Sequence, residues 1–327
     1  MRSYCTLFDR NYLSRGLALH ASLLRHCGDF RLYILCLDGP TFNALSALAL
    51  PYVELIPGAT LEAWDRDLLA ARSNRSAVEF YFTCKSVLMR YVLASYDGVD
   101  RITYLDSDLY FFSDPVTVEP EFVHSAVALT PHRFPDRIAF MKRFGVYNAG
   151  WISVAASAEG HRFLDWWRAR CIEWCRVVCE ETRFGDQKYL DQVPSLFRDV
   201  VSVSHPGLNA APWNIGVLHL EARGAAVVVE GQPLIAFHFH GIKRIMHRLY
   251  DSGLATYRAS LAKVARNHVF RPYLEELAQC EARLSAMPAG LGTAVASAAA
   301  PASKGRALDR WKHVARVLAS RTALIGP

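Results

Sequence analysis

The sequence predicts an α/β protein built on a mostly parallel sheet with helices on both faces. Three observations carry this. Strand-like and helix-like segments alternate through the first half of the chain. The 327 residues are 52% hydrophobic and 21% charged, enough for a substantial core and unlike a disordered chain. Finally, an apolar strand, Ile102-Thr103-Tyr104-Leu105, runs straight into Asp106 and Asp108. In open sheets of this class, ligands gather at the carboxyl ends of strands.

The elements follow in order. Tyr4–Phe8 reads as a strand, Ser14–His26 as a helix, and Phe30–Leu37 as a second strand closed by Asp38-Gly39-Pro40. Thr41–Leu48 reads as a short helix, Tyr52–Ile56 as a strand, and Leu61–Ala71 as another helix. Val78–Ser95 is a longer helix, with Val87, Leu88, Tyr91 and Val92 at helical spacing and Asp97-Gly98 ending it. The Asp106/Asp108 strand comes next. In the second half, Ala126–Thr130, Gly150–Val154 and Leu234–Phe239 read as strands, Gly160–Glu181 as a long helix, and residues 245–284 as helical.

Residues 286–303, rich in Ala, Gly, Ser and Pro, read as a flexible linker. Net charge is +6, and residues 304–327 carry six basic side chains against Asp309 alone. The body is therefore nearly neutral, which disfavours a general nucleic-acid binder. Leu308, Trp311, Val314, Ala315 and Leu318 project to one side of a basic helix in that tail. Docking on anionic lipid, packing back on the domain, or a disordered tail all fit this pattern. No apolar run approaches a membrane span and no signal-peptide core is seen, so a cytosolic protein is expected, peripheral on the membrane if the tail docks. The eight cysteines contain no C-x-x-C pair; Cys171, Cys175 and Cys179 have helical spacing beside Trp166, Trp167 and Trp174, and are expected to pack in the core as free thiols.

The chemistry begins with Asp106 and Asp108. Side chains of an extended backbone alternate, so both carboxylates lie on one side. Two buried like charges repel and lose hydration, a conflict that an oxygen-ligated cation such as Mn²⁺ or Mg²⁺ resolves. Tyr147-Asn148-Ala149-Gly150 offers an amide beside a glycine that lets a ligand approach the backbone. Gly185-Asp186-Gln187 brings an acid and an amide to a helix mouth, where Asp186 could equally be a simple cap. Asn209 and Trp213 join an amide to an aromatic plane, a combination typical of carbohydrate recognition, the plainer alternative being a structural loop with a buried Trp. In Ala236-Phe237-His238-Phe239-His240-Gly241-Ile242-Lys243, His238 and His240 share one face, so either could supply a metal-binding nitrogen, with Lys243 placed to neutralise phosphate.

Together these motifs resemble the Rossmann-like GT-A glycosyltransferases, and within them family 8 and its bacterial relatives, over roughly residues 1–245. The resemblance implies a catalytic domain at 1–245, to which periodicity and composition add a helical extension at 246–285 as a C-terminal appendage, the linker at 286–303 and the basic amphipathic tail at 304–327. It implies transfer of a sugar from a nucleoside diphosphate sugar, a UDP-sugar by family likeness, to a glycan or glycolipid acceptor with retention. Asp106, Asp108 and His238 (or His240) would hold Mn²⁺ or Mg²⁺, Asp106 also lying near the ribose. Thr6, Asp9, Asn11 and Tyr12 would hold the base, with Lys85, Asn148 and Lys243 also on the donor. Gln187 and Asp186 would be the catalytic residues, Gln187 lying near the reacting carbon, and Asn209 and Trp213 would meet the acceptor.

Two other readings compete. A sugar-phosphate nucleotidyltransferase shares the core fold but needs a Gly-rich, Arg-containing loop after the first strand, where this chain has Phe8-Asp9-Arg10-Asn11. A catalytically silent sugar- or nucleotide-binding protein on the same scaffold is the alternative from another class, and the presence of every proposed metal ligand argues against it. A phosphatase with Asp106 as nucleophile is disfavoured, because the pair is not in the first strand.

Overall fold

The computed structural model describes residues 1–224, 226–246, 248–288, 314, 317–320 and 322–327. The chain opens with β1 (Arg2–Phe8), α1 (Leu13–His26), β2 (Phe30–Cys36), α2 (Gly39–Leu48) and β3 (Val53–Pro57). Three helices follow, α3 (Gly58–Trp64), α4 (Arg66–Arg72) and α5 (Ala77–Ser95), then β4 (Arg101–Leu105), β5 (Leu109–Phe111), β6 (Val127–Pro131), β7 (Tyr147–Ala155) and α6 (Ala158–Glu173). Beyond these lie α7 (Val193–Leu196), β8 (Val200–Ser202), β9 (Leu220–Arg223), β10 (Ala226–Val229), β11 (Gln232–Pro233) and β12 (Ala236–His238). The chain closes with β13 (Lys243–Arg244), β14 (Leu249–Asp251), α8 (Lys263–Ala265), α9 (Arg271–Ser285) and β15 (Ala323–Ile325).

The main sheet has seven strands in the order β3-β2-β1-β4-β7-β6-β8. Four of its six neighbouring pairs are parallel, and β7 runs against both β4 and β6. The expected mostly parallel sheet flanked by helices is therefore the observed one. Period-two alternation sorts its side chains between two cores. Tyr4, Phe8, Leu32 and Ile34 face the core beneath α1 and α9. Cys5, Leu7, Tyr33, Leu35, Ile102 and Tyr104 face the one built with α5 and α6. A helix buried on one stripe and a strand buried on both faces read differently in sequence, and here both patterns were present.

The structure departs from expectation where polar caps intervene. The helix expected at Leu61–Ala71 is two, because Asp65 is extended (φ −124°, ψ 96°) and caps α4 by accepting the Leu68 N–H. Arg168 then grips both Asp65 oxygens at 2.5 Å, fixing the break. The helix expected to run to Glu181 stops at Glu173, so Cys171 and Cys175 are buried while Cys179 is exposed. Residues 245–262 hold the strand β14 and a single short turn rather than a helix, and helix begins at Lys263.

Of the expected linker, 289–303 lies outside the described residues, and Met287 packs against the core. The tail's six basic residues also lie outside them. What is described there packs on the domain: Val314 and Val317 are buried against Ile245, and β15 pairs with β14. Leu318, expected on the apolar side of the tail helix, is exposed. Among the described residues no helix is long and apolar enough to cross a membrane.

Candidate functional site

The site forms where β4 ends. The Asp106 N–H bonds the Gly150 carbonyl at 2.8 Å and the Leu109 N–H returns to the Asp106 carbonyl at 3.0 Å, a tight turn that leads into β5. β12 pairs antiparallel with β5, His238 opposite Leu109, so an imidazole from far along the chain lands beside the carboxylates. His238 Nε2 lies 3.0 Å from Asp108 Oδ1 and 3.7 Å from Asp106 Oδ2. The other oxygen of Asp106 is occupied: it accepts from the Tyr104 hydroxyl at 2.9 Å and sits 3.1 Å from Lys85 Nζ. One oxygen is anchored and the other is presented.

Lys85 is the hub of the opposite side. Its Nζ is 3.3 Å from Asp186 Oδ2 and donates to the Ala149 carbonyl at 3.2 Å, with only 5% of the side chain exposed. Burial disfavours its charge, but Asp106 and Asp186 outweigh that and hold its pKa above the ordinary lysine value. Burial lifts the Asp186 carboxyl above the usual range, with Lys85 pulling it back. Burial likewise works against charge on Asp108, yet the adjoining His238 holds that carboxyl well below the usual range.

An amide network completes the wall. Gly185, in the left-handed region at φ +53°, turns the chain into Asp186 and Gln187. Gln187 donates from Nε2 to the Phe144 carbonyl at 3.0 Å and accepts at Oε1 from Asn148 at 3.3 Å. Asn148 Oδ1 accepts the Gly150 N–H at 3.0 Å. The buried His132 donates from Nδ1 to the Val146 carbonyl at 3.1 Å, leaving Nε2 to accept from Asn148 Nδ2 at 3.4 Å. Burial pushes the His132 pKa down to about 3, so this ring is neutral. Gly150 sits where these groups converge: a Cβ there would lie 2.6 Å from His238 Cε1, 2.7 Å from Asn148 Oδ1 and 2.8 Å from Asp106 Oδ2.

These groups floor a cleft with two lobes. One, about 410 Å³, is walled by Asp9, Asn11, Tyr12, Tyr81, Asp106 and Asp108. The other, about 400 Å³, is walled by Asn148, Asp186, Gln187, Trp213 and Tyr257 with several phenylalanines. Phe82, Lys85, Asp106, His238 and His240 border both. Asp9, which caps Asn11 and accepts from the Tyr81 hydroxyl at 3.1 Å, is thus brought to the same cleft as the carboxylate pair.

Three expected site residues are not on the walls of these two lobes. Thr6 is fully buried in β1, with no partner for its hydroxyl among the described residues. Asn209 is fully buried and donates to Thr130 Oγ1 at 3.2 Å. Lys243 is exposed, at the start of β13. Conversely, Tyr104, Phe82, Tyr81 and His132 belong to the site and were not singled out. Tyr104 had a signal, since it stands two residues before Asp106 on the same side of the strand.

Two carboxylates converging on one imidazole, at 3.0 Å from Asp108 and 3.7 Å from Asp106, form a donor set that suits a divalent cation. Asp108, His238 and His240 also form a group whose ligand atoms all lie within 4.8 Å of one another. Comparison with known proteins gives the lineage. No protein-family model matches the chain. YfnF of Bacillus subtilis (strain 168) is 34% identical over 249 residues, which span 74% of this chain and 82% of YfnF. The chain belongs to the YfnF family. YfnD of the same organism is 29% identical over 277 residues, 84% of this chain and 88% of its own; both relatives are described as uncharacterized.

Solved structures give the fold of this YfnF-family chain. The galactosyltransferase LgtC, in complex with donor and acceptor sugar analogs, superposes with a TM-score of 0.53 at 13% identity, over 82% of this chain and 100% of LgtC. An active-site glutamine-to-glutamate mutant of LgtC gives 0.55 at 13% identity, over 88% of this chain and 98% of its own. The fold is the GT-A fold of the glycosyltransferases, resembling family 8.

Proposed function

We propose that the chain transfers a sugar from a nucleoside diphosphate sugar, a UDP-sugar in this reading, to a hydroxyl of a glycan or glycolipid, with retention at the anomeric carbon. The observation that carries it is the two-lobed cleft meeting at Asp106 and His238, with Asp108 beside His238 at 3.0 Å. In this reading one lobe takes the nucleotide and the other the donor and acceptor sugars, with the diphosphate at their junction. The shared fold with LgtC, a galactosyltransferase crystallised with donor and acceptor analogs, supports the same division.

Asp106, Asp108 and His238 are the residues that hold the cation in this reading. When bound, a divalent ion stabilises the charge that develops on a departing diphosphate. Asp9, Asn11, Tyr12 and Tyr81 bind the nucleoside. Lys85 keeps Asp106 and Asp186 at fixed separation, and Asn148 and Gln187 hold the donor sugar by their amides. The bond from the anomeric carbon to the diphosphate breaks while the acceptor oxygen bonds to the same face, its proton passing to the departing phosphate oxygen. Gln187, fixed by Phe144 and Asn148, borders the reacting carbon, and an active-site glutamine in LgtC supports that role. Asp186 is paired with Lys85 and acts by positioning it. Trp213 contacts the acceptor.

Binding of the tail's basic residues to an anionic membrane completes the reading, with the chain in the cytosol. Sedimentation with phosphatidylglycerol vesicles, against neutral vesicles, tests that part. The reaction is tested by incubating the protein and Mn²⁺ with a panel of nucleotide sugars and reading the released anomer by NMR. Release of the α-anomer from an α-linked donor, lost in Asp108→Asn, is expected. Binding of nucleotide sugars with no turnover of any would overturn transfer and favour a silent binding protein.

A further inference from the structure

His240 has no established task. Its side chain makes no hydrogen bond among the described residues, yet it borders both lobes of the cleft. It follows His238 by two residues, and both rings pack against Trp213, at centroid distances of 5.2 Å and 5.7 Å. The two imidazoles stand 85° apart with centroids at 5.8 Å. Tyr257 supports the far side of His240 at 6.4 Å. Two rings so placed, held by one tryptophan, converge on the oxygens of Asp108.

We propose that His240 is a further protein ligand of the cation, making a site of two carboxylates and two imidazoles that selects first-row transition ions over Mg²⁺. The inference rests on the proposed cation-dependent reading of the cleft. Ligand atoms of Asp108, His238 and His240 lie within 4.8 Å of one another. Bonds of about 2.1 Å place opposite ligands roughly 4.2 Å apart, so only a small closure is needed. Asp106 Oδ2, 3.7 Å from His238 Nε2, supplies the fourth donor. Mg²⁺ prefers oxygen donors and retained waters, whereas imidazole raises affinity along the series from Mn²⁺ to Co²⁺ and Ni²⁺. A second imidazole therefore gains little for Mg²⁺ and much for the others.

The metals alone serve as probes. Pulsed EPR of the Mn²⁺-loaded full chain should show nitrogen couplings from two imidazoles, reduced to one in His240→Leu. Calorimetric titration should give affinity rising from Mg²⁺ through Mn²⁺ to Co²⁺. His240→Leu should weaken Co²⁺ at least tenfold and leave Mg²⁺ nearly unchanged, with circular dichroism showing the variant folded. Coupling to one imidazole in the wild-type chain, or equal loss for all three ions in the variant, would overturn the role of His240 while leaving a metal site in place. Failure of the wild type to bind any of the ions would overturn that role and the cation-dependent reading together.

Discussion

Substituting Gly150 by Ala adds one methyl group at the most crowded point of the site. Its Cβ would sit 2.6 Å from His238 Cε1, 2.7 Å from Asn148 Oδ1 and 2.8 Å from Asp106 Oδ2. Non-bonded carbons are comfortable at about 3.5–4.0 Å, so the neighbours must retreat by roughly 1 Å. None is free to do so. His238 is buried on a paired strand, Asn148 holds the Gly150 N–H and Gln187, and Asp106 is tied to Tyr104 and Lys85. Overpacking of this kind costs about 1–3 kcal/mol of stability. A displacement of about 1 Å in catalytic geometry costs on the order of 100-fold in rate. The protein should thus remain folded by circular dichroism, with a modest fall in urea midpoint. Its Mn²⁺ affinity by calorimetry should drop at least tenfold, and nucleotide-sugar turnover about 100-fold. A folded Gly150→Ala protein with wild-type metal affinity and turnover would refute the close-approach reasoning.

Other outcomes follow from the same geometry. Lys85→Met leaves Asp106 and Asp186 without their buried cation and should cost about 3–5 kcal/mol in urea denaturation; an unchanged midpoint would show that solvent or protonation already compensates the pair. His132 is held neutral with its pKa near 3, below its unfolded value, so the unfolded chain takes up the proton first as pH falls. Stability is then lost below about pH 6.5, by about 2 kcal/mol at pH 5 for this group. His132→Asn should flatten that acid limb between pH 7 and pH 5, and equal slopes would count against it. Asp108→Asn should lower Mn²⁺ affinity at least tenfold, and chelation followed by Mn²⁺ should abolish and restore turnover in the wild type. Activity indifferent to chelator would sink the cation's role.

Much of the framework was legible because local pattern and tertiary demand agree. Tyr4, Thr6 and Phe8 alternate with Cys5 and Leu7 in a strand buried on both faces, and α5 carries a complete capping box from Ser76 to Glu79. Asp106 and Asp108 declared themselves by spacing alone. The misread segments are those where a partner distant in sequence decides. Asp65 breaks a helix because Arg168 is waiting for it, and residues 249–251 form a strand because β15 pairs with them. His132 had no local sign, since its task depends on the pairing of β6 with β7, which delivers Val146 and Asn148. Lys85 was legible only as a basic residue in the right helix. Its bridge between Asp106 and Asp186 appears only when three separate segments meet.

The short ladder of β5 and β12 also separates two kinds of change. It fixes His238 opposite Leu109, next to the turn that carries Asp106 and Asp108. The walls of the second lobe come instead from loops near Phe134, Phe144, Phe184 and Trp213, attached elsewhere on the scaffold. Insertions or exchanges in those loops can remodel what the second lobe accepts without shifting the register of the ladder. In the proposed reading, a lineage built this way can vary the sugars that the second lobe accepts while the nucleotide and cation end of the cleft stays constant, and chimaeras that swap only those loops are the natural way to probe it.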